Sequence, residues 1–164
     1  MAKKKAANSK HENRVEIPVT IRINTLPVAQ PRQRFSSFGG FARAYTPTSV
    51  GKGKNRKPHP IVEFRRAVAE ACKEFSGPIF TSPLRVNVRF VFPRPKNKVW
   101  KNKPMLPYYH DAKPDIDNCC KALWDCLNGV VWEDDSQIAV CTAVKVVAGE
   151  ENIPYVAISI RPLK

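Results

Sequence analysis

Hydrophobic and polar positions along the chain predict a short series of regular elements. Val15, Ile17, Val19, Ile21 and Ile23 are interleaved with Glu16, Thr20, Arg22 and Asn24. That alternation predicts a half-buried strand over 15–26, with Pro18 marking an edge or a strand start. Ile61, Phe64, Val68, Cys72 and Phe75 recur every three to four residues. They predict an amphipathic helix that opens at Pro60 and ends near Ser76-Gly77-Pro78. Leu84, Val86, Val88, Phe90 and Phe92 alternate with Arg85, Asn87 and Arg89, which is a second strand.

Cys119, Ala122, Leu123, Cys126 and Leu127 form one apolar helical stripe. It predicts a helix over 118–128, with Asp117 as N-cap and Gly129 as the C-terminal stop. Val130, Val131 and Trp132 follow, apolar enough for burial under the sheet or at a dimer contact. Strands are expected over 138–147 and 155–161, joined as a hairpin through Gly149-Glu150-Glu151-Asn152. The order implies one domain over 15–164, an α/β (α+β) sandwich with a mixed sheet of about four strands under two main helices. The strand order is not readable from the pattern. Residues 1–14, with Lys3, Lys4, Lys5 and Lys10, read as a disordered basic tail.

Between these elements lie two long loops, and their content is not neutral. Residues 27–57 carry Arg32, Arg34, Arg43, Lys52, Lys54, Arg56 and Lys57 among Phe35, Phe38, Phe41 and Tyr45. Residues 93–112 carry Arg94, Lys96, Lys98, Lys101 and Lys103 with Trp100, Tyr108 and Tyr109. Basic side chains position a phosphate backbone, and aromatic rings stack on unpaired bases. Arg32, Arg34, Arg43, Lys52, Lys54, Arg94, Lys96, Lys98, Lys101 and Lys103 are therefore the expected DNA contacts. The competing account is a surface loop whose rings tuck onto the core.

Composition points the same way. The chain has 164 residues, 28 Lys+Arg against 14 Asp+Glu, and a net charge of +14, which favours a polyanionic partner. A domain of this length buries roughly 70% of its unfolded surface, so it needs no disulfide staple. Cys72, Cys119, Cys120, Cys126 and Cys141 contain no Cys-x-x-Cys pair. They read as reduced, mostly buried thiols of a cytoplasmic protein rather than a zinc site. No apolar run reaches membrane-spanning length, so no membrane partner is expected.

Against this basic background the acids are concentrated. Asp111, Asp115, Asp117, Asp125, Glu133, Asp134 and Asp135, half of the acidic residues, fall within 25 positions. Carboxylates packed together repel, and a hard cation such as Mg²⁺ relieves that cost while keeping water and substrate phosphate in its shell. An acidic, metal-ready site in a basic protein suggests metal-assisted phosphodiester hydrolysis. Lys121 lies one turn past Asp117 and Asp125 one turn further. Its plain structural role would be an i, i+4 pair with either. Asn118 reads as support for the helix start, and Asp125 and Gln137 as structural. His110 reads as an incidental loop residue rather than a base.

Residues 113–138 also resemble a known family. Lys-Pro-Asp-Ile-Asp-Asn-x-x-Lys, followed by Asp-x-Leu-Asn-Gly-Val-Val-Trp-x-Asp-Asp-Ser-Gln-Ile, is similar to the signature of the RusA-type crossover junction endodeoxyribonucleases. Leu26-Pro27 through Arg34, and Ala44-Tyr45-Thr46-Pro47, resemble the family's basic N-terminal segment more weakly. With the order of elements, the resemblance covers most of 15–162. It implies a homodimer that nicks four-way (Holliday) DNA junctions symmetrically in strands of like polarity. It implies that Asp115, Asp117 and Asp135, and possibly Asp134, bind Mg²⁺, with Mn²⁺ as a substitute. It implies that Lys121 is catalytic. Spacing alone reaches only a basic, metal-dependent phosphodiesterase. The rivals are a non-catalytic DNA-binding module, which would not bind Mg²⁺ stoichiometrically, and an Asp-x-Asp glycosyltransferase, which would turn over a sugar nucleotide.

Overall fold

The structure is a computed structural model. It describes residues 17–163 except 39 and 76. The basic tail expected over 1–14, and Val15 and Glu16 of the first strand, lie outside the described residues. In chain order the elements are β1 (Val19–Ile23), β2 (Arg34–Phe38), β3 (Phe41–Tyr45), β4 (Ser49–Val50), β5 (Lys57–Pro58), α1 (Pro60–Cys72), β6 (Leu84–Phe92), β7 (Tyr108–Tyr109), α2 (Ile116–Leu127), β8 (Ile138–Val147) and β9 (Tyr155–Pro162).

Two helices and a mixed sheet give the α+β fold that the pattern predicts. The main sheet has five strands in the order β1-β9-β6-β8-β7. The four long strands are those expected, and β7 adds a two-residue fifth that pairs Tyr108 with Val147 and Tyr109 with Val146. The expected hairpin between β8 and β9 does not form. β6 lies between them, parallel to β8 and antiparallel to β9. The reason is burial: β6 is the most buried of the long strands and takes the centre, where both of its edges are covered. Gly149-Glu150-Glu151-Asn152 does turn, with Asn152 N–H donating to the Gly149 carbonyl at 3.2 Å, but the chain it turns crosses past β6 instead of pairing β9 with β8.

Alternation decides which face each residue joins. Ile21, Ile158 and Val88 share one cross-strand row, and Ile23, Val156 and Phe90 the next. Both rows are buried beneath the stripe Ile61, Phe64, Val68 of α1 and the stripe Cys119, Ala122, Leu123, Leu127 of α2. Truncating Leu123, which is fully buried, to alanine would cost about 2–5 kcal/mol. α1 is capped by His59, whose Nδ1 accepts from the backbone N–H of Ile61 at 3.1 Å. Pro60 occupies its first turn as expected, but the helix stops at Cys72 rather than near Ser76.

The segment 27–57, expected to be loop, holds the β2–β3 hairpin. Phe38 pairs with Phe41 across a two-residue turn, and Gly40 supplies the positive φ of 82° that such turns require. Phe35 and Phe41 are each 76% exposed, so these rings do not tuck onto the core. No helix of the described residues is long and apolar enough to cross a membrane.

Candidate active site

α2 begins two residues earlier than its apolar stripe suggests. Asp115, not Asp117, takes the N-cap position, with φ −68° and ψ 144°. Its carboxylate nevertheless makes no capping hydrogen bond, forgoing about 1 kcal/mol that a working cap supplies. Asp117 then sits in the first turn, where a negative charge faces the positive end of the helix dipole. Both carboxylates are exposed. Among the described residues neither accepts a hydrogen bond nor makes an ion pair, since Lys73–Glu70 is the ion pair there.

Lys121 is exposed one turn beyond Asp117. The i, i+4 pairs that would explain it structurally, to Asp117 or Asp125, are absent among the described residues. Asp125 is engaged elsewhere, accepting from Gln30 Nε2 at 2.7 Å. The backbone N–H of Gln30 also donates to the carbonyl of Asn118 at 3.0 Å. Two bonds from one residue thus dock the basic N-terminal segment along α2. The result is an open cavity of about 590 Å³ lined by Ala29, Gln30, Arg32, Lys113, Pro114, Asp115 and Asn118. Arg32 and Asp115, far apart in sequence, share one wall.

The loop that delivers Asp115 is held from the sheet. Lys145 of β8 donates through Nζ to the carbonyls of Ala112 and Pro114, each at 2.6 Å. Lys145 lies outside the acidic and basic motifs of the sequence, although a lone lysine in the apolar run Ile138–Val147 is a readable signal. His110 stacks on Phe92, ring centroids 4.4 Å apart. Burial and the Lys145 charge lower its pKa, which keeps the ring neutral. Burial pushes the Cys119 thiol up to about 11 and the Cys120 thiol up to about 12, so neither is a thiolate nucleophile. All five cysteines are free, and Cys141 is exposed rather than buried.

Asp135 is where the structure departs most from the expected acidic cluster. α2 runs antiparallel to β8, so the turn after α2 returns the chain at the far end of the sheet. Gln137 donates to the carbonyls of Phe80 and Ser82, just ahead of β6. Lys145, which marks the Asp115 end, is seven residues along β8 from Ile138, roughly 23 Å at 3.3 Å per residue. Among the described residues no three His, Cys, Asp or Glu side chains are arranged to hold a metal ion. Asp134 is a structural cap. It accepts from Ser136 N at 2.9 Å while Gln137 Oε1 accepts from Asp134 N, and hydrogen bonds from the Ser136 side chain and backbone hold its carboxyl below the usual range. Asp135 beside it makes no such bond and keeps its carboxylate available.

Of the expected DNA contacts, Arg34, Arg43, Lys52, Lys54, Lys96, Lys98, Lys101 and Lys103 are exposed, as is Arg32. Arg94 is not one of them. It is 5% exposed, and its guanidinium donates to the carbonyls of Leu106 at 2.7 Å and Ala148 at 3.0 Å. A fork buried on two backbone carbonyls cannot reach a phosphate, so Arg94 is a structural clamp on the 94–106 loop.

A donor set of two carboxylates suits Mg²⁺, which is commonly held by one or two carboxylates with water and substrate phosphates completing its shell. Residues 24–161 match the family model of endodeoxyribonuclease RusA. The chain is also similar to YqaN of Bacillus subtilis (strain 168), an uncharacterised protein. The two are 31% identical over 133 residues, covering 77% of this chain and 86% of YqaN. The chain belongs to the RusA endodeoxyribonuclease family, nucleases that hydrolyse DNA phosphodiester bonds at Holliday junctions.

Proposed function

We propose that this protein is a Mg²⁺-dependent homodimer that resolves four-way junctions by paired, symmetric nicks. The observation that carries the proposal is the set of unspent charges at the start of α2. Asp115 declines its cap, Asp117 and Lys121 lack the pairs that would neutralise them, and Arg32 lines the same cavity. A site of purely structural acids would consume its carboxylates, as Asp134 and Asp125 do.

Asp115 and Asp117 would hold the ion. When bound it supplies a Lewis acid at the phosphate and a water of lowered pKa. The remaining work belongs to the chain. Lys121 places an ammonium where charge grows on the phosphate oxygens in the transition state. The α2 N-terminus adds its dipole to the same field. Arg32 and the exposed bases of the two loops fix the DNA backbone in register. Phe35 and Phe41, exposed on the β2–β3 hairpin, offer stacking surfaces to bases unpaired at the branch point.

Asp135 lies just ahead of β8, whereas the Asp115 loop is held from Lys145 near the other end of that strand, so in this reading Asp135 joins the other two carboxylates across a two-fold axis. Each site of the dimer would then take Asp115 and Asp117 from one protomer and Asp135 of the partner subunit. Two such sites match the two-fold symmetry of the junction.

Complementation tests this directly. Asp117→Asn and Asp135→Asn proteins, each expected to bind a synthetic junction but not cleave it, are mixed, allowed to exchange protomers and assayed with Mg²⁺. A site composed from two chains leaves one intact site per mixed dimer, and single nicks reappear. If the mixture stays inert while wild type cleaves, the composite site is refuted. If either single variant cleaves fully, that aspartate is not a ligand.

A further inference from the structure

We infer that the sheet face turned away from the helices is a second DNA-backbone surface. The registers of β1, β9, β6 and β8 place three rows side by side on it. Arg161 and Arg85 are directly opposite, next to Val140. Thr20, Ser159, Asn87 and Thr142 form the row beside them. Arg22, Ala157, Arg89 and Val144 form the third. No Asp or Glu occurs anywhere in these four strands.

All four arginines are exposed. Arg85, Arg89 and Arg161 make no hydrogen bond or ion pair among the described residues, where the ion pair is Lys73–Glu70. Arg22 is steadied over the Tyr155 ring at 3.9 Å and by Asn24 at 3.2 Å. Like charges directly across a strand pair are destabilising. Keeping Arg85 opposite Arg161 with no acid between them opposes folding and favours an external anion.

Charge and spacing both select the occupant. The two arginine rows are four residues apart along β6, roughly 13 Å at 3.3 Å per residue. That is comparable with the roughly 12 Å width of the major groove of duplex DNA, whose rims are lines of phosphate. The middle row of hydroxyls and amide supplies hydrogen-bond partners between the rims. A second copy of this chain is disfavoured, because a two-fold contact would bring eight arginines together. Glu150 and Glu151 line the same cavity as Arg89 and Tyr155, so acids bound the face at that end and set its limit. The α2 site opens on the opposite side of the sheet, so this face would grip a duplex arm away from the cut.

The choice of DNA as the polyanion rests on the family. The test does not rest on cleavage. Binding of a plain duplex is titrated with salt in EDTA for wild type, Arg85→Ser/Arg161→Ser and Arg22→Ser/Arg89→Ser. Each lost phosphate contact reduces the slope of log K against log salt by about 0.9, so each double variant is expected to flatten it by about 1.8. Arg85→Lys/Arg161→Lys should keep the slope. Arg65→Ser/Arg66→Ser, on α1, should leave it unchanged. Melting temperature is read in parallel, and neither serine pair is expected to lower it. Wild-type slopes in both serine variants overturn the inference. So does equal flattening by the α1 pair, which would reduce the effect to net charge. A changed oligomeric state with an unchanged slope would assign the face to a second copy instead.

Discussion

Lys145→Met separates the anchoring of the site from its chemistry. Lys145 Nζ is the one link described between β8 and the carbonyls of Ala112 and Pro114, with both bonds at 2.6 Å. Hydrogen bonds to a charged group contribute about 1.5–3 kcal/mol each when well shielded. This amine is half-buried and one of its bonds is solvent-exposed, so the pair is worth about 2 kcal/mol. For a chain of this size that lowers the melting temperature by about 4–8 °C. The functional consequence is larger in kind. Freed from β8, the 112–114 segment no longer fixes where the Asp115 carboxylate points. Residues that orient ligands typically contribute 10–100-fold to metal affinity. The Mg²⁺ concentration for half-maximal junction cleavage should therefore rise about tenfold, with the rate at saturating Mg²⁺ largely recovered. Lys145→Arg should restore most of both effects. A variant that melts early yet needs no more Mg²⁺ than wild type would show that Lys145 holds the fold and not the site. A variant unchanged in both would refute the anchor altogether.

Other residues make sharper separations of role. Lys121→Ala should slow cleavage at least about tenfold, about 1.4 kcal/mol of barrier, with little change in melting temperature, because no ion pair is lost; an early-melting variant that cleaves normally would contradict that role. Arg94→Ala should do the opposite, costing about 3 kcal/mol for two bonds from a buried guanidinium to backbone carbonyls while leaving the salt slope of DNA binding intact, and Arg32→Ser/Arg34→Ser should flatten that slope by about 0.9 per contact without loss of stability. For His110 the sign follows from its lowered pKa: the unfolded chain binds its proton at a higher pH than the folded chain does. Stability is thus complete above the ordinary value of about 6.5 and falls as pH drops through it. Melting from pH 7.5 to 5 should show this decline, and His110→Phe, which keeps the stack on Phe92, should flatten it.

How much of this was legible in the sequence depends on whether a signal is local. Strand and helix positions came through, because alternation at 84–92 and the stripe from Cys119 to Leu127 are properties of neighbouring residues. The β2–β3 hairpin left a local signal too, in Gly39-Gly40 between alternating residues, but charge and aromatic content masked it. Arg94 was misread because burial is not local: its partners are the carbonyls of Leu106 and Ala148, set in place only when β8 and the 94–106 loop converge. The same limit governed the candidate site. Asp115, Asp117 and Lys121 are neighbours in sequence and stay neighbours on α2. Asp135 is also close in sequence, but a helix of 12 residues carries the chain roughly 18 Å from where it began. A motif dense in sequence is thus split in space by the helix it contains. On the composite-site proposal a second copy of the chain reunites its halves, and the two-fold symmetry of a four-way junction fits that arrangement.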